Sequence, residues 1–451
     1  MSEKKVSPWL QTSIAAMTSY IDAGSIVAIG AGLSLWESYL GLSRFQVGLL
    51  TAFSSNALGA AIGALLGGML CDRWGRKFVY TYDLILYMLG MLLVVFGLHY
   101  GMLFVGFMMV GIAVGADVVA SWTLIAEQAP AQNRARHCGA AQFAWALGPA
   151  VVLMMSVGLG LAFQSMANWE LVSHWGEKEI LWGNYALLAN RIVFGHLIVV
   201  AFITWLLRLR MPESENWKAA KAREKALEEA GEKKKSAFRE LLLPVNVKTV
   251  LFLCGVYVIW NLCAGTMGIL MPYIYENVCQ ISNTMSCALT IIIFLTSTIS
   301  TLLIFMWWGD RWSRRWIYFA MAALFVLAWS LFLLPAAWIT LPVLILFAVL
   351  VGINNGSGQQ AFYQLWCSEL FPARYRASAQ GFTFFAARIT VGIWTALVPM
   401  IMASSYGFPL AAKCMVGFAL FSLLVGTLYA PDTSGKTLEQ IERERYGEKG
   451  G

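Results

Sequence analysis

Asp22, Asp117, Arg191 and Arg388 are ionisable residues inside long apolar runs of this chain that call for an explanation. Each would cost about 2.5 to 3.5 kcal/mol at the centre of a membrane helix, so each needs a partner or a task. A carboxyl group kept from water favours its neutral form, and one that faces two solvents in turn can load and release a proton. Asp22 and Asp117 are therefore candidates for proton coupling, with a static ion pair or a hydrogen-bonded core acid as the structural alternative. Arg388 is permanently charged and planar, which suits a carboxylate or phosphate on a ligand; equally, it would neutralise Asp22 or Asp117. Arg191 falls near the end of its run and reads as an anchor.

Neutral donors and acceptors crowd the same runs. Gln142, Asn261, Thr266, Asn355, Gln359, Gln360 and Gln364 are candidates for holding a hydrophilic substrate, with Trp145 one turn beyond Gln142. At helical spacing Asn355 and Gln359 form one stripe, and Gln360 and Gln364 another. Amides in hydrocarbon need partners, which either neighbouring helices or a solute's hydroxyls supply. His99, His137, His174 and His196 make no metal-spaced pair, and no nucleophile and base set or phosphate-cradling glycine loop is present. An enzyme is not expected, nor any metal or organic cofactor; the proton is the coupling ion.

A second constellation lies in short polar loops. Gly68, Asp72, Arg73, Gly75, Arg76 and Lys77 form the pattern G-x-x-x-D-R-x-G-R-K between two apolar runs. Gly68 allows close helix approach, Asp72 suits the positive end of a neighbouring helix, and Gly75 permits a tight reversal. The pattern returns in weaker form as Asp310, Arg311, Ser313, Arg314 and Arg315, 238 residues later. Glu127 and Pro130 with Arg134 return as Glu369 and Pro372 with Arg376, 242 residues later. Two charged loops repeating at nearly one distance predict two halves of common design. In each half a carboxylate ending one helix can pair with an Arg starting the next, as a latch that loosens when the halves rock.

These residues need a membrane to sit in. Only 13% of the 451 residues are charged, where a soluble domain carries roughly a quarter. Apolar runs of ~20 residues predict helices crossing a hydrocarbon core, approximately at 13–35, 45–70, 78–98, 102–126, 137–163, 185–207, 248–273, 286–308, 316–335, 341–366, 377–400 and 409–430. The fold class is an all-α membrane protein of twelve spans. Its organisation is a bundle over 1–207, a linker over 208–247 with short charged helices, a second bundle over 248–430, and a tail over 431–451. The inner loops and both termini collect 27 of the 32 Lys and Arg. That bias places both termini in the cytoplasm and explains the net charge of +7 without nucleic acid. Cys279 and Cys287 share an outer loop region and would pair only in an oxidising compartment.

The loop pattern at 68–77 resembles the signature of the major facilitator superfamily of secondary transporters. The Glu-x-x-Pro loops, Arg210-Met-Pro212-Glu213-Ser214 and the stretch from Pro431 to Glu442 narrow the resemblance to its sugar porter branch or close relatives among metabolite:proton symporters. The resemblance covers about Tyr20 to Glu442. It implies two pseudo-symmetric six-helix bundles, alternating access, and proton-coupled uptake of a sugar, polyol or sugar acid. A non-sugar organic acid, uniport, or a nutrient sensor without flux are the alternatives. It further implies a bacterial inner membrane, the lipid bilayer and a small molecule as partners, and a working monomer.

The Tyr20-Ile-Asp22-Ala-Gly24 segment is similar to the first helix of sugar:proton symporters, where the Asp takes up the proton. Gln142 matches the family glutamine that binds sugar hydroxyls. The departures are instructive. Sugar symporters carry an Arg where this chain has Phe107, a Gln pair where it has Trp260 and Asn261, and Trp where it has Gln364. Asp117 is similar instead to related symporters of anions and metabolites. Together these changes argue against a plain glucose or xylose pocket.

Overall fold

The computed structural model describes residues 7–54, 57–175, 178–230 and 237–447. Among them, eleven helices are long and apolar enough to cross a membrane. The first bundle comprises α1 (Pro8–Leu40), α2 (Arg44–Ala52), α3 (Leu58–Trp74), α4 (Arg76–Val95), α5 (Tyr100–Gln128), α6 (Arg134–Ala162) and α7 (Tyr185–Arg208), with α2 and α3 together making one crossing. Next come α8 (Glu215–Glu229) and α9 (Ala237–Leu241), both short and polar.

In the second bundle, α10 (Pro244–Leu253) runs through a π-helical turn at Cys254–Val258 into α11 (Ile259–Asn277). A second such turn, Thr301–Phe305, joins α12 (Asn283–Ser300) to α13 (Met306–Trp308). Then follow α14 (Arg314–Ser330), α15 (Leu341–Ser357), α16 (Gln359–Leu370), α17 (Arg376–Ala403) and α18 (Gly407–Leu428), and the tail carries α19 (Leu438–Tyr446). The helices extend past the apolar runs by several residues at the charged end. Asp72, Glu127 and Arg208 are helical and buried there, because their charges are paired inside the protein rather than hydrated.

One element was not expected. Between α6 and α7, β1 (Glu170–Trp175) pairs antiparallel with β2 (Lys178–Asn184), Val172 opposite Leu181. This loop is too polar to cross a membrane, and its short runs rich in Val, Ile and Trp satisfy their backbone as a hairpin. Cys279 and Cys287 are not bridged.

The glycine stripe on α3 packs as small-residue stripes do. Within the bundle, a Cβ at Gly63 would run into the Ile112 carbonyl of α5. Gly68 faces the other half: a Cβ there would stand 2.5 Å from the Ala377 carbonyl oxygen and 3.1 Å from Ser378 Cα on α17. The backbones of the two bundles therefore touch at this point.

Candidate functional site

A chamber lies between the bundles. Ile26 and Val27 of α1 and Trp145 of α6 line it from one side. From the other side come Tyr257, Asn261 of α11, Phe294 of α12, Gln360 of α16 and Arg388 of α17. The wall is mainly apolar and includes four aromatic rings, with two amides and one guanidinium. The Arg388 guanidinium stands 4.6 Å over the Phe384 ring and acts electrostatically on Asp22. Asp22 is buried, and its Oδ1 has no hydrogen-bond partner among the described residues.

Of the residues expected to hold substrate, Trp145, Asn261, Gln360 and Arg388 thus share one chamber. The others lie elsewhere. Gln142 donates from Nε2 to the Asn355 carbonyl at 2.7 Å, tying α6 to α15 across the bundle boundary. Thr266 donates to the Leu262 carbonyl and accepts from Trp394 Nε1, both at 2.9 Å, so its hydroxyl is used inside the second bundle. The Gln359 Oε1 accepts from Asn354 Nδ2 at 2.6 Å. The side chains of Asn355 and Gln364 are fully buried with no protein hydrogen-bond partner among the described residues.

The expected stripe from Asn355 to Gln359 assumed one continuous helix. Instead the chain breaks at Gly358 (φ −102°, ψ −135°), where α15 ends and α16 begins. The Gly-Ser-Gly at 356–358 was the available signal. A helix interrupted in the membrane exposes backbone groups and concentrates polar side chains, and the amides of this chain cluster at that break.

On the face that carries both termini, the charged loops close the two bundles on each other with near two-fold symmetry. Glu127 takes Arg76 of its own bundle at 2.8 Å and Arg376 of the other at 2.6 Å. Its counterpart Glu369 takes Arg314 at 2.8 Å and Arg134 of the other bundle at 2.9 Å. The Asp72 carboxylate accepts from the backbone N–H groups of Ala377 (3.3 Å) and Ser378 (2.7 Å) at the start of α17. The Asp310 carboxylate accepts from Ala135 (3.0 Å) and Arg136 (2.9 Å) at the start of α6. Each acid sits on the positive end of the opposite bundle's helix. Arg73 and Arg311 take no part: both are exposed and lie over Trp74 and Trp307.

The linker and the tail complete the closure. Gly75 adopts φ +102°, a conformation open chiefly to glycine, and the Glu213 carboxylate occupies the space a Cβ would need. Glu213 there accepts from the N–H groups of Arg76 (3.2 Å) and Lys77 (3.0 Å). Ser214 donates to Glu127 Oε2 at 2.5 Å, and in the second half Thr433 accepts from Arg314 at 2.6 Å. The Tyr446 hydroxyl of α19 reaches Asn246 at 2.6 Å. Burial pushes the Glu442 carboxyl up from its ordinary value, against the pull of Arg376, Arg223 and Arg374.

A third group was missed by the sequence reading. Arg208, at the end of α7, turns inward and donates to Asp117 Oδ1 at 3.0 Å, to the Tyr80 carbonyl at 2.8 Å and to Thr18. Its Nη1 also lies 3.6 Å from Asp83 Oδ1 on α4. Asp83 stands within the predicted run 78–98, so the test applied to Asp22 and Asp117 would have found it.

A family model described as "Sugar (and other) transporter" matches residues 31–444. The chain belongs to this family. The minor myo-inositol transporter IolF of Bacillus subtilis is 49% identical over 438 residues, covering 97% of this chain and 94% of the relative. The arabinose-proton symporter of Escherichia coli is 29% identical over 217 residues, or 48% of this chain and 40% of that one. Among solved structures, the proton:xylose symporter XylE from E. coli, bound to 6-bromo-6-deoxy-D-glucose, superposes with a TM-score of 0.76 at 17% identity, over 97% of this chain and 98% of the other. At that identity the likeness is one of fold: twelve helices in two bundles. The protein is an integral, multi-pass membrane transporter and not an enzyme.

Proposed function

We propose that this protein imports a cyclic polyol of the inositol type, driven by protons, across the bacterial inner membrane with both termini in the cytoplasm. The observation that carries the substrate class is the 49% identity, over nearly the full length of both chains, with a transporter named for myo-inositol. The chamber supports it. Its aromatic side chains suit the C–H faces of a ring, and Asn261 and Gln360 offer hydroxyl partners. Gln142, Asn355, Gln359 and Gln364, around the α15–α16 break, serve as a surrounding amide shell whose hydrogen bonds change as the bundles move, while Thr266 and Trp394 brace α11 against α17.

Asp22 carries the coupling proton. When protonated it leaves Arg388 for the substrate or for solvent; when ionised it holds the Arg388 charge, and the loaded carrier reorients only in the neutral state. The loops with Gly68, Asp72, Gly75, Arg76, Glu127, Arg134, Asp310, Glu369 and Arg376 are the cytoplasmic gate. The Lys and Arg bias toward the terminal face supports the orientation, and the protein works as a monomer. Arg388 favours a second reading, in which the substrate is an acid whose carboxylate it binds.

The test is uptake of labelled myo-inositol by proteoliposomes. An inward proton gradient should drive accumulation, and dissipating it should stop accumulation while sparing exchange. Accumulation by Asp22→Asn overturns the proton role. Absence of competition by any cyclic polyol, with uptake of sugar acids intact, overturns the substrate.

A further inference from the structure

We propose that Asp83 and Asp117 hold one proton between them and form the relay that joins Asp22 to the face carrying the termini. The inference rests on the proton-driven reading above and deepens it. Its first observation is geometric. Two carboxylates, from α4 and α5, converge on the single Nη1 of Arg208, at 3.6 Å and 3.0 Å. All three residues are buried.

Two ionised carboxylates so placed repel, and with one guanidinium they leave a net negative charge in a water-poor interior. One added proton removes both difficulties. Asp117 makes the closer contact with Arg208 and is the ionised member. Asp83 is the protonated one: its Oδ1 accepts from the Leu84 N–H at 2.5 Å, while its Oδ2 is buried with no hydrogen-bond partner among the described residues.

The second observation is a small cavity whose wall includes Asp22, Asp83 and Asp117 together with Thr18 and Tyr87. The three acids thus open onto one space. Facing the pair are Asp22 and Thr18 from α1, Tyr80 and Tyr87 on α4, and Arg208 from α7 over the Tyr80 ring. Ser121 on α5 donates to the Asp117 carbonyl and brings no charge. Arg388 acts on Asp22 from the far side.

Depth orders them. Asp83, Asp117 and Asp22 lie about 11, 17 and 21 Å along their helices from the ends at the terminal face, at 1.5 Å per residue. In the step proposed, Asp83 first gives its proton to solvent at the opened terminal face. The O–H bond on Asp22 then breaks as one forms on Asp83, which leaves Asp22 ionised beside Arg388 and restores the neutral pair.

The experiment uses the full chain in proteoliposomes with labelled myo-inositol. Asp83→Asn keeps the shape and the neutral pairing but carries no exchangeable carboxyl proton. Its net uptake under a proton gradient should fall roughly 100- to 10,000-fold, the scale of a lost proton-transfer group. Exchange at equal pH moves no net proton, so the loss should be confined to net uptake. Net uptake by Asp83→Asn equal to that of the unaltered protein overturns the relay, and so does equal loss of exchange in a folded variant. If Asp83→Asn does not fold, infrared spectroscopy of Asp22→Asn decides. A protonated-carboxyl C=O band at neutral pH supports the pair, and its absence overturns it. An unaltered protein that accumulates nothing under a gradient overturns the proton-driven reading itself and the relay with it.

Discussion

Glu127 of the first bundle and Arg376 of the second meet at 2.6 Å on the face that carries both termini, and Glu127 keeps a second arginine, Arg76, from its own bundle. Glu369 repeats the arrangement with Arg134 and Arg314. Stranding a buried charge by removing its partner costs about 3–5 kcal/mol. Here each acid retains a local arginine when the distant one departs. The closure can therefore open without leaving a bare carboxylate inside the protein.

Removing the distant and the local arginine should accordingly have different results. Arg376→Ala should leave the melting temperature little changed but raise the maleimide labelling rate of Cys71 and Cys138, both fully buried beside these loops. Arg76→Ala takes a partner from two acids at once, Glu127 and Asp72 (3.3 Å), and leaves Glu127 with no arginine whenever the closure opens, so it should lower the melting temperature more than Arg376→Ala does.

The two glycines on α3 offer a matched pair. Gly68→Val would overpack the contact with the α17 backbone only when the bundles are closed, at a cost of about 1–3 kcal/mol. It should depress transport and expose Cys71 with the melting temperature nearly kept. Gly63→Val opposes the α5 backbone inside one bundle and should lower the melting temperature directly. Equal thermal effects would refute this division.

Arg388→Gln separates the two substrate readings. Under the polyol reading, myo-inositol binding, read as a ligand-induced rise in melting temperature, should survive with affinity reduced less than tenfold, about 1.4 kcal/mol. Selective loss of acidic ligands would favour the carboxylate reading.

The tail carries a pH dependence whose sign follows from Glu442. Burial raises its carboxyl above the ordinary 4.5 when α19 is docked. Docking is therefore favoured fully below about pH 4.5 and weakens as the pH rises through the docked-state value. Amide exchange of α19 should accelerate across that window in the unaltered protein, and Glu442→Gln should flatten the profile.

The spans and the repeated loops were legible in the sequence because hydropathy and charge act locally. The gate acids and their arginines were legible as charges in short loops, but not their pairing: within each half the sequence suggested Glu127 with Arg134 and Glu369 with Arg376, whereas the folded bundles exchange these partners, Glu127 taking Arg376 and Glu369 taking Arg134. What escaped depends on the fold. Arg208 sits at the polar end of an apolar run and reads as the start of a linker until α7 turns it inward to Asp117. Thr266 and Gln142 look like ligand groups in sequence, yet the helices opposite them supply their partners. Gln359 was placed on a stripe that Gly358 interrupts.

Glu213, Ser214, Asn216 and Trp217 follow the first bundle in the chain yet bond back to it: Asn216 donates to the Glu127 carbonyl at 2.9 Å and Trp217 to that of Asp72 at 3.1 Å. Thr433 does the same for the second. The true seam of the polypeptide therefore lies beyond Trp217 rather than where α7 stops. Two fragments meant to reassemble in one membrane would have to be cut there, each keeping the hook that trails its sixth crossing.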